Sequence, residues 1–403
     1  MNTHPNNPET PQRGTSRKGL RGMARKALVN TIAAGLPHRW FDYRYIQRES
    51  VAAHRVRVGD SRGRIHYERI HPQSLAVNPL PANIASRESL PRDAGWWGYS
   101  FYDVPSRTSG ETFRVTIPSC RVISYRDPEQ ENDFYPAILT DDLHALELRE
   151  FRFRPPHAAA LRQAGPPTVL KEATWIFERV YHNYAHWMTV HLPKLLLLKE
   201  LNALDTVLMP AERTRSMNAS LRQLGIDPDR FQQFHTGELF EIERLTLLGT
   251  DRFRPELLRL VQTAFGSQTA PPPHRAIYIS REQATRRKLA NEAAIWPLLQ
   301  AAGFEKLNME AIPFAQQVEI MRETRVLVAP HGAGLTNMMF CPPGAQVVEI
   351  ADPAFPNPNF YALASAMGHT YFLIPSVSVG DGHPLDRNMR VEPAAIGEWL
   401  ARG

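Results

Sequence analysis

The stretch VLVAPHGAGLTN, residues 326–337, has the residue types of an anion-binding turn. An apolar run typical of a buried strand is followed by His331, Gly332, Ala333 and Gly334, and then by a predicted helix. Glycine lets the backbone approach a ligand, and the free N–H groups at a helix start favour an anion. A histidine there can hydrogen-bond a diphosphate or, when protonated, pair with it. The alternative is a tight turn without a ligand.

Charged residues end the neighbouring predicted strands. The run AIYISR ends at Arg281, with Arg286 and Arg287 downstream, and arginine can bind phosphate through two hydrogen bonds. The run VVEI places Glu349 at the next strand end, where a carboxylate can accept hydrogen bonds from ribose or sugar hydroxyls. Because ligands of parallel sheets bind beyond the carboxyl ends of the strands, these residues together predict a phosphate- and sugar-binding site. A single arginine at a strand end is more commonly a surface charge.

A second polar group lies in YHNYAHWMTVHLPKL, within a helix predicted over about 184–201. It comprises His182, Asn183, His186, Trp187 and His191. His182 and His186 are four residues apart on one helical face, but no HExxH glutamate lies between them, so we expect no zinc site. Three histidines within ten residues at a domain cleft favour a functional role, and packing in the core is the alternative.

The order of predicted elements places both groups in an α/β protein. Short strands separated by Gly, Asp and Pro predict a β-rich, antiparallel part over 51–155, and strands alternating with helices predict a parallel sheet over 165–266. A Pro-rich linker at 267–275 precedes a second Rossmann-like domain at 276–380, and a tail with a helix follows at 381–403. Two such units across a hinge predict an active site between them, formed by the acceptor-side domain 51–266 and the C-terminal domain.

Composition and charge exclude several protein classes. A hydrophobic content of 43% with 22% charged residues is typical of a globular protein, and no apolar run is long enough to span a membrane or form a signal peptide. The two cysteines, far apart, argue against a disulfide framework. The first 70 residues hold 14 Lys and Arg against 5 Asp and Glu, which accounts for the net charge of +6. We therefore expect no nucleic-acid partner for the folded body.

The basic segment SRKGLRGMARKALVNTIAAGL alternates cationic and apolar residues at roughly helical spacing, inside a partly disordered N-terminal arm at 1–50. A basic amphipathic helix can lie on an anionic membrane surface, and a solvated tail is the alternative.

Four segments together resemble glycosyltransferase family 61 over about residues 165–375. They are NYAHWMTVHLPKL, YISREQATRRKLANE, FAQQVEIMRETRVLVAPHGAGLTNMMF and GAQVVEI. The resemblance implies a GT-B fold, inversion of the anomeric configuration, and a nucleotide-sugar donor that the C-terminal domain binds without an obligatory metal. It implies donor-side roles for Arg281, His331, Gly332, Gly334, Asn337 and Glu349, with Arg286 or Arg287 and Gln317 as supports. It implies acceptor-side roles for Asn183, His186 and Trp187.

One position departs from the family pattern. Family members often carry an acidic residue four positions after the motif histidine, and here that position is Val190. Because an inverting transfer needs a base to deprotonate the acceptor hydroxyl, the base must be His186, His191, His182 or a carboxylate from elsewhere. We favour His186.

The sequence therefore predicts an inverting, metal-independent glycosyltransferase without a cofactor, which moves a sugar from a nucleotide-sugar to a hydroxyl of a glycan or lipid-linked acceptor. We expect it to act in capsular-type polysaccharide biosynthesis in the cytoplasm, peripheral on the inner face of the membrane through the N-terminal arm. Two alternatives stay open: a nucleotide-sugar epimerase of similar architecture, and a non-catalytic glycan-binding protein, which Val190 would favour if the missing acid were essential.

Overall fold

The computed structural model describes residues 46–59, 65–92, 99–130, 133–266, 272–383 and 386–402 of the 403-residue chain. Almost all of the predicted basic arm and half of the predicted linker lie outside the described residues. No helix in the described part of the chain is long and apolar enough to cross a membrane.

The first half of the chain is built on a seven-stranded mixed sheet. The strands of this half, seven of which form the sheet, are β1 Arg48–Ser50, β2 His66–His71, β3 Ser74–Val77, β4 Ser106–Ser109, β5 Thr112–Asp127, β6 Asp133–Leu139, β7 Ala145–Glu147, β8 Thr168–Trp175, β9 Leu208–Pro210, β10 Gln232–Phe234 and β11 Phe240–Gly249. Its helices are α1 Val51–Val58, α2 Pro155–Gln163, α3 (Tyr184–His186, Trp187–His191 and Leu192–Glu200), α4 Arg215–Gln223 and α5 Pro255–Phe265. The sheet order is β1-β7-β6-β5-β11-β8, with β2 also on β5, while β3-β4 and β9-β10 form separate pairs.

The long strand β5 organises this sheet, because β2, β6 and β11 all pair with it in antiparallel fashion. The predicted antiparallel character of 51–155 is thus confirmed. The strand pairings within 165–266 are parallel: β11 pairs with β8, β9 pairs with β10, and a parallel bridge joins Thr174 of β8 to Val207 next to β9. This part is not a separate parallel sheet, however, because β11 is also antiparallel to β5. The alternation of helices and strands was read correctly, but local periodicity does not tell which distant strand becomes a neighbour.

The second half is the predicted Rossmann-like unit. Its strands are β12 Arg275–Ile279, β13 Glu305–Leu307, β14 Thr324–Pro330, β15 Gln346–Ala351, β16 Thr370–Val379 and β17 Asn388–Val391. Its helices are α6 Glu292–Ala301, α7 Phe314–Arg322, the 3₁₀-helix Ala333–Phe340, α8 Asn359–Met367 and α9 Pro393–Leu400. Five strands run parallel in the order β13-β12-β14-β15-β16, and β17 is antiparallel to β16. The winding reverses between β12 and β14, the switch point at which such sheets bind ligands.

Helix α3 is interrupted by a π-helical segment, Trp187–His191. Pro193 follows two residues later and gives a physical reason, since its ring cannot donate a hydrogen bond to the carbonyl of Thr189 and would collide with it in a regular α-helix. The wider π turn relieves that collision. π segments of this kind are frequent at functional sites.

The two halves share one buried core and are joined by direct hydrogen bonds. The Ala82 N–H donates to the Tyr371 carbonyl at 2.7 Å, and the Asn83 amide both donates to and accepts from the Leu373 backbone on β16. Tyr361 of α8 donates to the Pro79 carbonyl at 2.5 Å. The GT-B arrangement expected from the sequence is not confirmed, because the parallel strands of the first half continue through β11 into an antiparallel sheet.

Candidate active site

A cavity of about 530 Å³ lies between the halves, at the switch point of the parallel sheet. The first half contributes Tyr99, Arg107, Arg149, Glu150, Glu178, Asn183, Ala185, His186, Asp251, Arg252 and Phe253. The second half contributes Arg287, His331, Gly332, Ala333, Asn357, Asn359 and Phe360. The structure therefore brings His186 and the His331 turn to opposite walls of one cavity, as the sequence predicted.

The start of α3 places His186 in this cavity. The Asn183 side chain caps the helix by accepting hydrogen bonds from the N–H groups of Ala185, at 3.0 Å, and His186, at 3.3 Å. Asn183 lines the cavity as well, so it can cap the helix and still face a ligand.

The predicted acceptor-side residue Trp187 and the candidate base His191, on the same helix, are core residues instead. Trp187 is fully buried and donates from Nε1 to the Ser220 hydroxyl at 2.9 Å. His191 is also fully buried, stacks on Phe177, and has its pKa lowered to about 3 by burial. The roles predicted for Trp187 and His191 are therefore wrong, because the π segment packs all its five side chains inward. His182 lies outside the cavity lining, with its ring edge-on to Tyr181.

The cavity holds His186 against a guanidinium. Nη1 of Arg252 lies 3.5 Å from Nε2 of His186, and Nε of Arg252 donates to the Thr189 hydroxyl at 2.8 Å. Burial, together with the positive charge of Arg252, lowers the pKa of His186 well below its usual value. His186 is therefore neutral at neutral pH, the form in which an imidazole can accept a proton.

A buried ionic cluster supports this wall. Glu178 accepts a hydrogen bond from the fully buried Lys194 and lies 3.4 Å from Nε of Arg149. Burial raises the pKa of Glu178, but Lys194 and Arg149 outweigh it and bring the pKa to about 2. Arg149 also donates to the Thr250 carbonyl at 2.7 Å, which ties the cluster to the end of β11. Sequence analysis missed this cluster, although a lysine inside the apolar run LPKLLLL was a signal that a buried partner must exist.

On the opposite wall, Gly332 is required by the close approach of Arg281. A Cβ at position 332 would lie 1.9 Å from Nη1 of Arg281. Arg281 donates from Nε to the Arg287 carbonyl at 3.1 Å and from Nη2 to the Arg286 carbonyl at 2.9 Å. Two of its three nitrogens thus hold the loop that carries Arg287, and Arg287 itself lines the cavity. Arg286 instead forms an ion pair with Asp386 at 2.9 Å. In this geometry Arg287 lines the cavity, while Arg281 supports the loop that carries Arg287.

His331 is oriented by Glu349. Nδ1 of His331 hydrogen-bonds the Glu349 carboxylate, whose second oxygen accepts from the Tyr371 hydroxyl at 2.5 Å. Glu349 is fully buried, so the prediction that it meets ribose or sugar hydroxyls directly is wrong. The Glu349 carboxylate lies beneath His331 and contacts Nδ1, so Nε2 is the ring nitrogen that does not contact Glu349. Strand β15 is covered on both faces, which is why a side chain near its end remains buried.

A second cavity, of about 710 Å³, lies on the other side of the glycine-rich turn. It is lined by Tyr184, Thr214, Arg215, Ser216, Ala219, residues 309–314, Gln317, Ala333, Gly334 and Asn337. The buried Asn337 accepts a hydrogen bond from the Tyr184 hydroxyl and donates to Oε1 of Gln317 at 3.1 Å. Gln317 in turn donates to the Met309 and Ile312 carbonyls. Asn337 and Gln317 therefore shape this cavity, and Ala333 borders both cavities.

Metal ligands and cysteine thiols are two other kinds of group that could supply chemistry. Within the described ranges, no cluster of three or more His, Cys, Asp or Glu side chains is placed to hold a metal ion. Cys120 and Cys341 are free and buried, and burial raises the pKa of both thiols. Neither cysteine has the character of a nucleophile.

Comparisons with known proteins agree with the predicted class. Residues 184–348 match the family described as Glycosyltransferase 61. A 91-residue stretch is 33% identical to the EGF domain-specific O-linked N-acetylglucosamine transferase of Drosophila melanogaster and covers 21% of this chain. That stretch spans only 18% of the fly protein.

Two solved structures of a bacterial protein were also matched. One is the iron-containing dodecameric glycosyltransferase TibC from enterotoxigenic E. coli H10407, and the other is dodecameric iron-containing heptosyltransferase TibC in complex with ADP-D-beta-D-heptose. Each is 11% identical, with 68% of this chain and 81% of TibC covered and a TM-score of 0.27. A TM-score of that size does not define a shared fold.

The family match and the similarity to the fly protein both concern transferases of sugars. The match over residues 184–348 is to the same family that the sequence motifs resemble. The matched region includes α3, the Arg281 loop and the His331 turn.

Proposed function

We propose that the protein is an inverting glycosyltransferase that divides its substrates as GT-B enzymes do, with the nucleotide-sugar donor on the second half and the acceptor on the first. The observation that carries this proposal is the shared cavity. One of its walls presents Arg287 and the His331 turn, and the other presents His186. A volume of about 530 Å³ is within the usual range for a small-molecule site.

In this proposal the donor spans both cavities. The nucleoside occupies the larger, more apolar cavity, the diphosphate crosses the turn at Ala333, and the sugar enters the cavity beside His186. The Ala333 and Gly334 N–H groups open a 3₁₀-helix and have no acceptor inside it, so they can donate to phosphate oxygens. Arg287 supplies further donors on the same wall.

The transfer step then follows from the positions of these groups. The acceptor hydroxyl oxygen attacks the anomeric carbon on the face opposite the diphosphate, and a new glycosidic bond forms as the bond to the diphosphate oxygen breaks. His186 takes the hydroxyl proton. The negative charge of the departing nucleoside diphosphate is stabilised by Arg287 and the N–H groups of the turn, which supply positive charge without a metal.

A glycan or lipid-linked acceptor, a role in capsular-type polysaccharide biosynthesis, and action in the cytoplasm at the inner membrane face belong to the same proposal. The membrane part rests on the basic arm at 1–50, of which residues 1–45 lie outside the described residues. Vesicles with anionic lipids should retain the full chain and release it when residues 1–35 are deleted.

The first experiment separates this function from its alternatives. The protein is incubated with UDP-, GDP- and ADP-sugars, with and without oligosaccharide acceptors, and both the nucleoside diphosphate and the sugar product are measured. Acceptor-dependent release of nucleoside diphosphate supports the transferase. Conversion of one nucleotide-sugar into another without an acceptor would identify an epimerase, and glycan binding without release would identify a binding protein.

The second experiment tests the base. His186→Ala should lower the transfer rate constant by roughly 10²- to 10⁴-fold while the affinity for the nucleoside diphosphate stays near the wild-type value. His182→Ala is the matched control, because His182 lies just before the same helix but outside the cavity lining. Turnover at the wild-type rate in His186→Ala would rule out this base.

A further inference from the structure

We propose that the acceptor carries an anionic group, a carboxylate or a phosphate, close to the hydroxyl that receives the sugar, and that Arg252 and Arg107 bind this group. The inference rests on the proposed function and names the class of acceptor. It comes from the first-half wall of the cavity, on the side away from the donor turn.

Two of the three carboxylates of this wall are already engaged, and the third, Glu150, is exposed and forms no ion pair with Arg252 or Arg107. Glu178 binds Lys194 and faces Arg149. Asp251 accepts a hydrogen bond from the Gly110 N–H at 2.5 Å and lies 3.9 Å from Arg149. Arg149 therefore has two carboxylate partners, and neither of these carboxylates is within ion-pair distance of Arg252.

Arg252 is a desolvated cation without a carboxylate partner among the described residues. Its contacts are the Thr189 hydroxyl, Nε2 of His186 and the Phe253 ring, whose centroid lies 4.8 Å from Cζ. Burial lowers its pKa to about 10, so the guanidinium stays charged at neutral pH. A buried charge that lacks a counter-charge is unfavourable, and a bound anion would remove that penalty.

Arg107 adds a second cation to the same place. It lies on strand β4, which pairs with β3, and lines the cavity. Within the described ranges its side chain has no hydrogen-bond or ion-pair partner. Arg107, Arg149 and Arg252 line the same cavity as Tyr99, and the positive charges of all three act on the Tyr99 hydroxyl. The Tyr99 hydroxyl donates to Asn359 of the second half, so its ring is fixed between the two walls.

The position of Arg252 relates the anion to the accepting hydroxyl. Nη1 of Arg252 is 3.5 Å from Nε2 of His186. With hydrogen bonds of about 2.8 Å from each side chain to its ligand oxygen, the anion and the hydroxyl oxygen are at most about 9 Å apart. They therefore lie on one sugar residue or on adjacent residues. A neutral acceptor would leave both arginines without a counter-charge.

The test compares matched acceptors. Once a donor has been found, sugar transfer is measured to a neutral oligosaccharide, to the same backbone with a uronic acid, and to a phosphorylated form. The wild-type protein should favour an anionic acceptor by about 10- to 100-fold in kcat/KM, the range of one or two charge-assisted hydrogen bonds. The uronic and phosphorylated arms distinguish the two sources of negative charge.

Arg107→Gln and Arg252→Gln should each abolish most of that preference through KM for the anionic acceptor, with nucleoside diphosphate affinity unchanged. The control is Arg325→Gln, an exposed arginine at the start of β14 outside the cavity, which should keep the wild-type preference. Arg107 lies at the surface end of the cavity wall, so its variant remains informative if Arg252→Gln is poorly folded. Arg252→Lys should recover only part of the preference, because an ammonium lacks the second parallel donor.

Equal kcat/KM for neutral and anionic acceptors would overturn the proposal. Weaker nucleoside diphosphate binding in both variants would also overturn it, because the arginines would then belong to the donor phosphates. If no acceptor is glycosylated, the proposed function fails, and the anion site is still decided by equilibrium binding of the same oligosaccharides. Tighter binding of the anionic forms, lost in Arg107→Gln, supports the site without any turnover, and equal binding refutes it.

Discussion

Replacement of Gly332 by alanine tests how the donor wall is held. The new Cβ would lie 1.9 Å from Nη1 and 2.6 Å from Cζ of Arg281. The end of a free arginine could swing away at little cost. Arg281 is not free, because it donates to the Arg286 and Arg287 carbonyls, and a shift of more than 1 Å breaks both bonds.

The expected loss of stability follows from the two hydrogen bonds that Arg281 donates. Hydrogen bonds from a charged donor contribute roughly 1.5–3 kcal/mol each, and water recovers part of that at a half-buried side chain. We expect Gly332→Ala to lower the free energy of unfolding by about 2–4 kcal/mol. The released Arg287 loop should also weaken nucleoside diphosphate binding by roughly 10- to 100-fold.

Urea unfolding and calorimetric titration with UDP, GDP and ADP measure the two effects. Gly165→Ala is the matched control, because a Cβ there meets nothing within 4 Å. The decisive comparison repeats Gly332→Ala in an Arg281→Ala background, where the clash no longer exists and the substitution should be nearly neutral. An equal loss of stability in both backgrounds would show that the contact with Arg281 is not the cause.

Two further predictions concern stability. Because the pKa of Glu178 is about 2 in the folded protein against 4.5 ordinarily, its stabilising contribution is complete above about pH 4.5 and is lost as the pH falls towards 2. Unfolding measured across that window should lose this dependence in Glu178→Gln, and an unchanged slope would contradict the assignment. Gly397→Ala in α9 should raise the free energy of unfolding by about 0.5–1 kcal/mol, since the position is helical and open, and a decrease would contradict it.

The sequence predicted the second half well because the relevant signals are local. Each strand there is a short apolar run, and the residues after it, including Arg287 and His331, reach the sheet edge through chain connectivity alone. Gly332 was correctly placed at a close approach, but its neighbour was expected to be a ligand, whereas Arg281 lies against it. Which of two nearby arginines supports the loop and which faces the cavity depends on side-chain hydrogen bonds that no spacing encodes.

Most cavity residues of the first half were not predicted from the sequence, for a different reason. Tyr99, Arg149 and Arg252 come from loops far apart in sequence, and Arg107 comes from strand β4. The antiparallel pairing of β5 and β11 helps to bring such loops together. None of these loops carries a recognisable motif. On α3, the predicted helical face was judged from a regular 3.6-residue period, and the π segment turned Trp187 and His191 into the core.

Val190 stands where family members often carry an acidic residue, and its surroundings bear on how His186 could act as the base. Val190 is buried and has no polar side-chain atom to offer His186, and the polar neighbour of the His186 ring is Arg252 instead. Arginine only donates, so Nε2 of His186 must face it with its lone pair. In the proposed mechanism, an acceptor anion draws the guanidinium towards itself and lessens its effect on the imidazole. Nε2 then becomes available for the hydroxyl proton only when the correct acceptor is bound, which would limit transfer of the sugar to water.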